Sequence, residues 1–422
     1  VHSHGTPGGE HPPPQPFDAR QRRRAIIIVC SILIPIAVAT VSGLFLLWPG
    51  AATTSNTLYS LPPGVERAGA TVDTVAIRKC PGLPPGSKIG DTVQELDCGT
   101  VTATINDGRN VVFDINDVEY RTGIEPGDKV WVVLQPAGPT WPATTYFDDF
   151  QRGQSLIVIF VIFAIAVIVV ARWRGLLALV GLAISFGVIL KFMLPGLLEG
   201  SSPLLVTLTG SSAILFVVLY LAHGISLRTS AALLGTLFGV SFIVAMGVYW
   251  SDWSHLTGYG SDESSALASN SPNVFLPSII LAGIIVAGLG VLNDVTITQA
   301  SAVWELEAAT KNRNPWELFT QAMRIGRDHI ASSVYTIAFA YAGTALPVLL
   351  LIQLYQRPLG ETLTSETFAE EIVRSLVGAT GLVLAVPLTT GVAVLLVKSA
   401  RIGSKTTPQE TVKPGLAAPK ES

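Results

Sequence analysis

"GVLNDVTITQASAVWELEAAT", residues 290–310, continues an apolar run that begins at 274. A membrane span ordinarily stops at a pair such as Asn293-Asp294, because a carboxylate in hydrocarbon is costly. Here a helix-favouring pattern goes on with no Gly or Pro break. Asp294, Thr298, Ser301 and Glu305 recur at i, i+4, i+7 and i+11, and at about 100° per residue they fall in a stripe of roughly 60°. Val295, Ile297, Ala300, Ala302, Val303, Trp304 and Leu306 occupy the remaining faces. One reading is an interfacial helix with its polar stripe in water. The other is a span extension or re-entrant helix whose stripe lines a cavity. The stripe is acidic rather than rich in Lys and Arg, and carboxylates with hydroxyls are oxygen ligands suited to a proton or a hard cation. Asp294, Thr298, Ser301 and Glu305 are therefore candidates for an ion or substrate path.

Working outward, the whole chain looks membrane-bound. Of its 422 residues 14% are charged and 49% hydrophobic, against about 25% charged in soluble domains. Apolar runs long enough to span fall at 25–48, 155–170, 176–194, 204–221, 227–249, 274–292, 332–354 and 372–397, which predicts a polytopic α-helical protein of about eight transmembrane helices. "RRR" at 22–24 precedes the first run, which is longer than a signal-peptide core and reads as an uncleaved span. The flanks 1–24 and 398–422 are rich in Pro, Gly and polar residues and are expected to be disordered tails. The histidines of the first tail show no ligand spacing.

Between the first two spans, 51–151 changes character. Short alternating runs ("TVDTVAIRK", "GTVTATI", "NVVFDI", "DKVWVVL") are punctuated by Gly, Asn and Asp. They predict a small β-barrel-like domain, OB-like or SH3-like. Cys80 and Cys98 share this segment and can pair as a disulfide in an oxidising compartment, with two separate buried thiols as the alternative. The rest, 152–397, reads as a seven-helix membrane domain.

Lys and Arg in short loops set orientation. Arg22, Arg23, Arg24, Arg172, Arg174, Arg228, Lys311, Arg313, Arg324, Arg327 and Lys398 fall on one side, against Arg152, Lys191, Arg357 and Arg374 on the other. Both termini are thus expected in the cytoplasm and the β domain outside it.

No phosphate loop of the GxxxxGK[ST] type, HExxH, CxxC or GxSxG occurs, so an ATP-driven pump, a zinc protease and an α/β-hydrolase lack support. The chain is expected to be no enzyme and to need no cofactor or metal. With a net charge of −3 nothing points to nucleic acid. "GRDHIASSVYTIAFAYAGTALPVLLL" (326–351) adds Asp328 at a span entrance and Pro347, which can bend the helix near its other end. "EEIVRSLVGATGLVLAVPLTTG" (370–391) adds Glu371 and Arg374 at i, i+3 and Pro387 within the span.

These last two segments and "NDVTITQASAVWEL" (293–306) resemble the YibE/F-like family of multi-span bacterial membrane proteins. "HGISLRTSAALLGTL" (223–237) is also family-like. The resemblance runs from about 176 to 397 and implies a bacterial plasma-membrane protein. It carries Asp294, Glu305, Asp328, Glu371 and Arg374 over as motif positions without assigned roles. The leading expectation is a secondary transporter or permease for an ion or small polar solute, embedded in the bilayer, with a homo-oligomer left open. In it Asp294, Thr298 and Ser301 line the path, Glu305 and Asp328 gate its cytoplasmic mouth, and Glu371, Arg374, Pro347 and Pro387 are structural or gating residues. The alternative is a non-transporting scaffold or assembly factor acting through the β domain.

Overall fold

A computed structural model describes residues 19–50, 61–83, 87, 92–271, 274–309, 314–355 and 358–399. The expected tails fall largely outside the described residues. Where they are described, at 19–24 and 398–399, they are helix. The chain divides into two compact units, 54–170 and 1–53 with 171–422.

The first unit is an antiparallel sheet of β1 (Glu66–Gly82), β2 (Gln94–Ile105), β3 (Asn110–Ile115), β4 (Lys129–Gln135) and β5 (Thr144–Phe150), in the order β3-β2-β1-β4-β5. The long β1 serves both halves. Glu66–Thr71 pair with β4 and Ala70–Gly82 with β2, and the β2 ladder shifts register between Val72 and Thr74, which bends the strand. Alternation puts one face inward: Ala68, Ala70, Val72, Val101, Ala103, Phe113, Val130 and Val132 form its core. Cys80 and Cys98 are bonded and tie β1 to β2. A short α2 (Asp117–Tyr120) follows β3, started by a capping box between Asn116 and Glu119.

The barrel expectation needs correction. Closure requires a further ladder between β3 and β5, and the sheet is open, with these strands as its edges. The edges are six and seven residues long and carry Asp114, Asp148 and Asp149, which discourage edge pairing.

The other elements are helical: α1 (Ala19–Leu46), α3 (Gly153–Val188), α4 (Leu194–Leu198), α5 (Pro203–His223), α6 (Leu227–Trp253), α7 (Asp262–Asn270), α8 (Leu276–Ala309), α9 (Pro315–Thr344), α10 (Leu346–Tyr355), α11 (Leu359–Leu363) and α12 (Glu366–Ser399). A π-helical turn, Ile189–Met193, joins α3 to α4. Among the described residues six helical runs are long and apolar enough to cross a bilayer, or seven if α9 and α10 count as one bent span. The count stays below the expected eight because the run Gly153–Leu198 is taken as one. It is two helices that meet at Arg172, whose φ of 55° is left-handed, where the sequence separates 155–170 from 176–194.

Candidate functional site

α6, α8 and α12 form the centre of the helical unit. α6 runs antiparallel to α8 and α12, which are parallel to each other. Glycines permit the close approach. A Cβ on Gly239 of α6 would lie 2.7 Å from Leu292 of α8 and 3.2 Å from Ala385 of α12, while Gly288 and Gly381 make room for Ile243. Small residues at crossings are how helices associate in lipid, where burial alone supplies no drive. Between α8 and α12 polar contacts recur at a constant offset of 91 residues, as Gln299 with Thr390 and Glu307 with Lys398. Arg374 lies over Gly283 at the same offset.

One end of this bundle is basic. Ile26 of α1, Leu227 of α6 and Trp304 of α8 line one apolar groove, so Arg23, Arg24, Arg228 and Lys398 sit at a common end. Depth can be measured from there. The apolar run of α6, 227–249, has its middle near Phe238. Thr236, about 3 Å from that middle along the axis, shares a 2.6 Å hydrogen bond with Thr296 of α8. Asp294 to Gln299 therefore lie near the middle of the bilayer.

Three polar layers follow along α8 and α12. In the central layer the Gln299 amide donates to Ala322 O of α9 (2.9 Å) and to Thr390 Oγ1 (2.8 Å). Ala322 O can only accept, which fixes the orientation of the amide. Gln299 Oε1 then points toward Gly326, enclosed and without a hydrogen-bond partner among the described residues. Thr236 and Thr296 lie one turn away. At the basic end, Glu307 and Lys398 form an ion pair at 3.0 Å, with side chains 2% and 13% exposed.

At the far end Arg374 pairs with Glu371 one turn earlier on α12. Tyr341 of α9 lies within their electrostatic reach. Glu370 Oε1, Glu371 Oε2 and Arg374 Nε are enclosed there without hydrogen-bond partners among the described residues. Glu366 closes this end by accepting the N–H groups of Thr257 and Gly258, both at 2.7 Å. Arg374 and Lys398 are 24 residues apart on one helix, about 36 Å, so the charged layers bracket a membrane about 30 Å thick.

The residues singled out from sequence are distributed differently. The expected span ended at 292, but α8 continues unbroken to Ala309, and Asp294 falls near mid-membrane rather than at its edge. The stripe does not line the packed interior: Asp294 and Glu305 are exposed, and Thr298 and Ser301 half-buried. Thr298 is occupied with its own helix, donating to Asp294 O at 2.6 Å. Asp328 is exposed on α9, two residues beyond Gly326. Pro347 stands just beyond a 62° bend between α9 and α10, whereas α12 passes through Pro387 without interruption.

The inward polar residues Thr236, Thr296, Gln299, Glu307, Thr390 and Lys398 were not singled out. The available signal was Thr296, Gln299 and Glu307 at i, i+3 and i+11, a second polar stripe on the side that Val295, Ala300 and Val303 make look apolar.

Residues 159–399, more than half of the chain, match the family described as YibE/F-like protein. The chain belongs to this family. The YibE/F-like match includes all three polar layers and leaves the β-sheet outside it. No curated protein and no solved structure matches the chain.

Proposed function

We propose that this membrane-embedded protein is a permease, not an enzyme, and that it moves an ion or small polar solute between α8 and α12. The observation that carries this reading is Gln299 Oε1: an acceptor near mid-membrane, enclosed and free to take a hydrogen bond or a cation. An unsatisfied polar group in a low-dielectric interior costs stability, and intramembrane polar groups of this kind commonly mark a path. The path follows the inner face of α8 and not the Asp294 stripe. The pairs Glu307–Lys398 and Glu371–Arg374 stand at its ends as gates. The geometry is a closed state, so passage requires α12 or α9 to shift.

The basic end is assigned to the cytoplasm, because Lys and Arg are retained there. Residues 51–151 are then outside it, which agrees with the Cys80–Cys98 bond. For a bacterial protein this is the plasma membrane.

Flux into proteoliposomes, measured for protons, monovalent and divalent cations and small neutral solutes, tests the reading. Gln299→Leu is expected to lower the flux of the transported species at least about ten-fold, the weight of one buried hydrogen bond, while the protein still reconstitutes. Wild-type flux no greater than that of empty liposomes for every species, or a Gln299→Leu chain as active as wild type, defeats it.

A further inference from the structure

The outward stripe of α8 presents a separate problem. Asp294 is exposed near mid-membrane and forms no ion pair among the described residues. Facing lipid, a carboxylate at that depth is strongly disfavoured. The stripe extends toward the far end through Gly290 and Ala287, so it is narrow as well as acidic. A Cβ on Gly290 would meet nothing within 4 Å. Small residues along one helix face permit a second helix to approach closely.

The complementary face is on the same chain. Arg324, Arg327 and Ala331 share an exposed side of α9, and neither guanidinium forms an ion pair among the described residues. Asp328 lies on this side too, between the two arginines and Ala331, so the face remains net positive. Depths correspond because α9 runs antiparallel to α8. Gly326 is level with Gln299, whose amide also reaches Ala322 O one turn earlier on α9. Arg327 is therefore within about 7 Å of the depth of Asp294, and Arg324 is about as close to that of Glu305. Long arginine side chains span such offsets.

We infer that a second copy of this chain covers the stripe, placing its α9 arginines against Asp294 and Glu305. A two-fold axis along the membrane normal keeps every residue at its own depth, so the contact forms twice, α9 of each copy on α8 of the other. Each copy completes the charge balance that the other lacks. The inference is independent of the permease reading, since it concerns the opposite face of α8.

Subunit counting by single-molecule photobleaching, in bilayers of graded protein-to-lipid ratio, tests it. Wild type is expected to be dimeric. Asp294→Arg alone and Arg327→Asp alone each place like charges at both contacts and are expected to be monomeric. Mixed together they restore opposite charges at each contact, and mixed dimers are expected. Gly290→Leu fills open space in the single chain, so it leaves the monomer fold intact and is expected to weaken the dimer about ten-fold. A wild-type chain that stays monomeric assigns the face to lipid or to another protein and overturns the inference. So does a Gly290→Leu chain that dimerises like wild type, or a charge-swapped pair, each folded by circular dichroism, that stays monomeric when mixed.

Discussion

The β-sheet unit and the α6–α8–α12 centre use the same side-chain chemistry under opposite conditions. On the sheet, Arg109 reaches both Asp107 and Glu66, and Arg67 reaches Asp148, all about half exposed. Water screens these pairs and leaves each with little net worth. The sheet instead relies on its alternating apolar face and the Cys80–Cys98 bond. In the helical centre the Glu307–Lys398 pair is withdrawn from water, and glycines set the helix spacing. Position in the solvent, not the identity of the pair, decides what an ion pair contributes.

The largest effect should come from breaking the buried pair on one side only. Lys398→Met removes the ammonium paired with the enclosed Glu307, and is expected to destabilise the helical unit by up to about 3 kcal/mol. Combining it with Glu307→Leu should recover most of the loss. Thermal unfolding in detergent compares the variants, and a double variant no better than Lys398→Met would place the effect in packing rather than charge.

Next comes the covalent tie of the sheet. Cys80→Ala opens a loop of 18 residues, worth about 3 kcal/mol in the chain-entropy model. Hydrogen exchange of β1 and β2 should rise while that of α6 and α8 is unchanged.

The smallest effect belongs to the exposed pairs. Arg109→Ala should leave thermal unfolding at neutral pH unchanged, and a clear loss would break the contrast between the units. The Arg109 guanidinium, followed by its backbone N–H, holds the Asp107 carboxyl below its ordinary value. Because the folded value is depressed, any stabilisation is present above the unfolded carboxylate pKa of about 3.9 and is lost as pH falls through the lowered folded value. An NMR titration of Asp107 should show its midpoint rising in Arg109→Ala.

Much of the architecture was legible along the chain. Apolar runs identify spanning helices because hydrocarbon requires length and low charge, and period-2 alternation identifies the strands because one face is buried. Barrel closure was not legible, since it depends on whether two distant edges pair. The break at Arg172 was legible: charge marks the end of an apolar run, and a single left-handed residue suffices to break the helix there. At the candidate site the polar residues of 290–310 were visible in the sequence, but not which of their two stripes is the enclosed one. Asp294 and Glu305 are the more conspicuous charges, while Gln299 looks incidental among Val295, Ala300 and Val303.

The sequence by itself determined that residues 290–309 are helical and carry polar side chains at regular spacing, because helical periodicity is a local property. Only the tertiary structure decided which stripe faces inward and how deep it lies. Those answers come from Thr236 on α6, Ala322 on α9 and Thr390 on α12, residues remote along the chain that close packing through glycine brings against one side of α8.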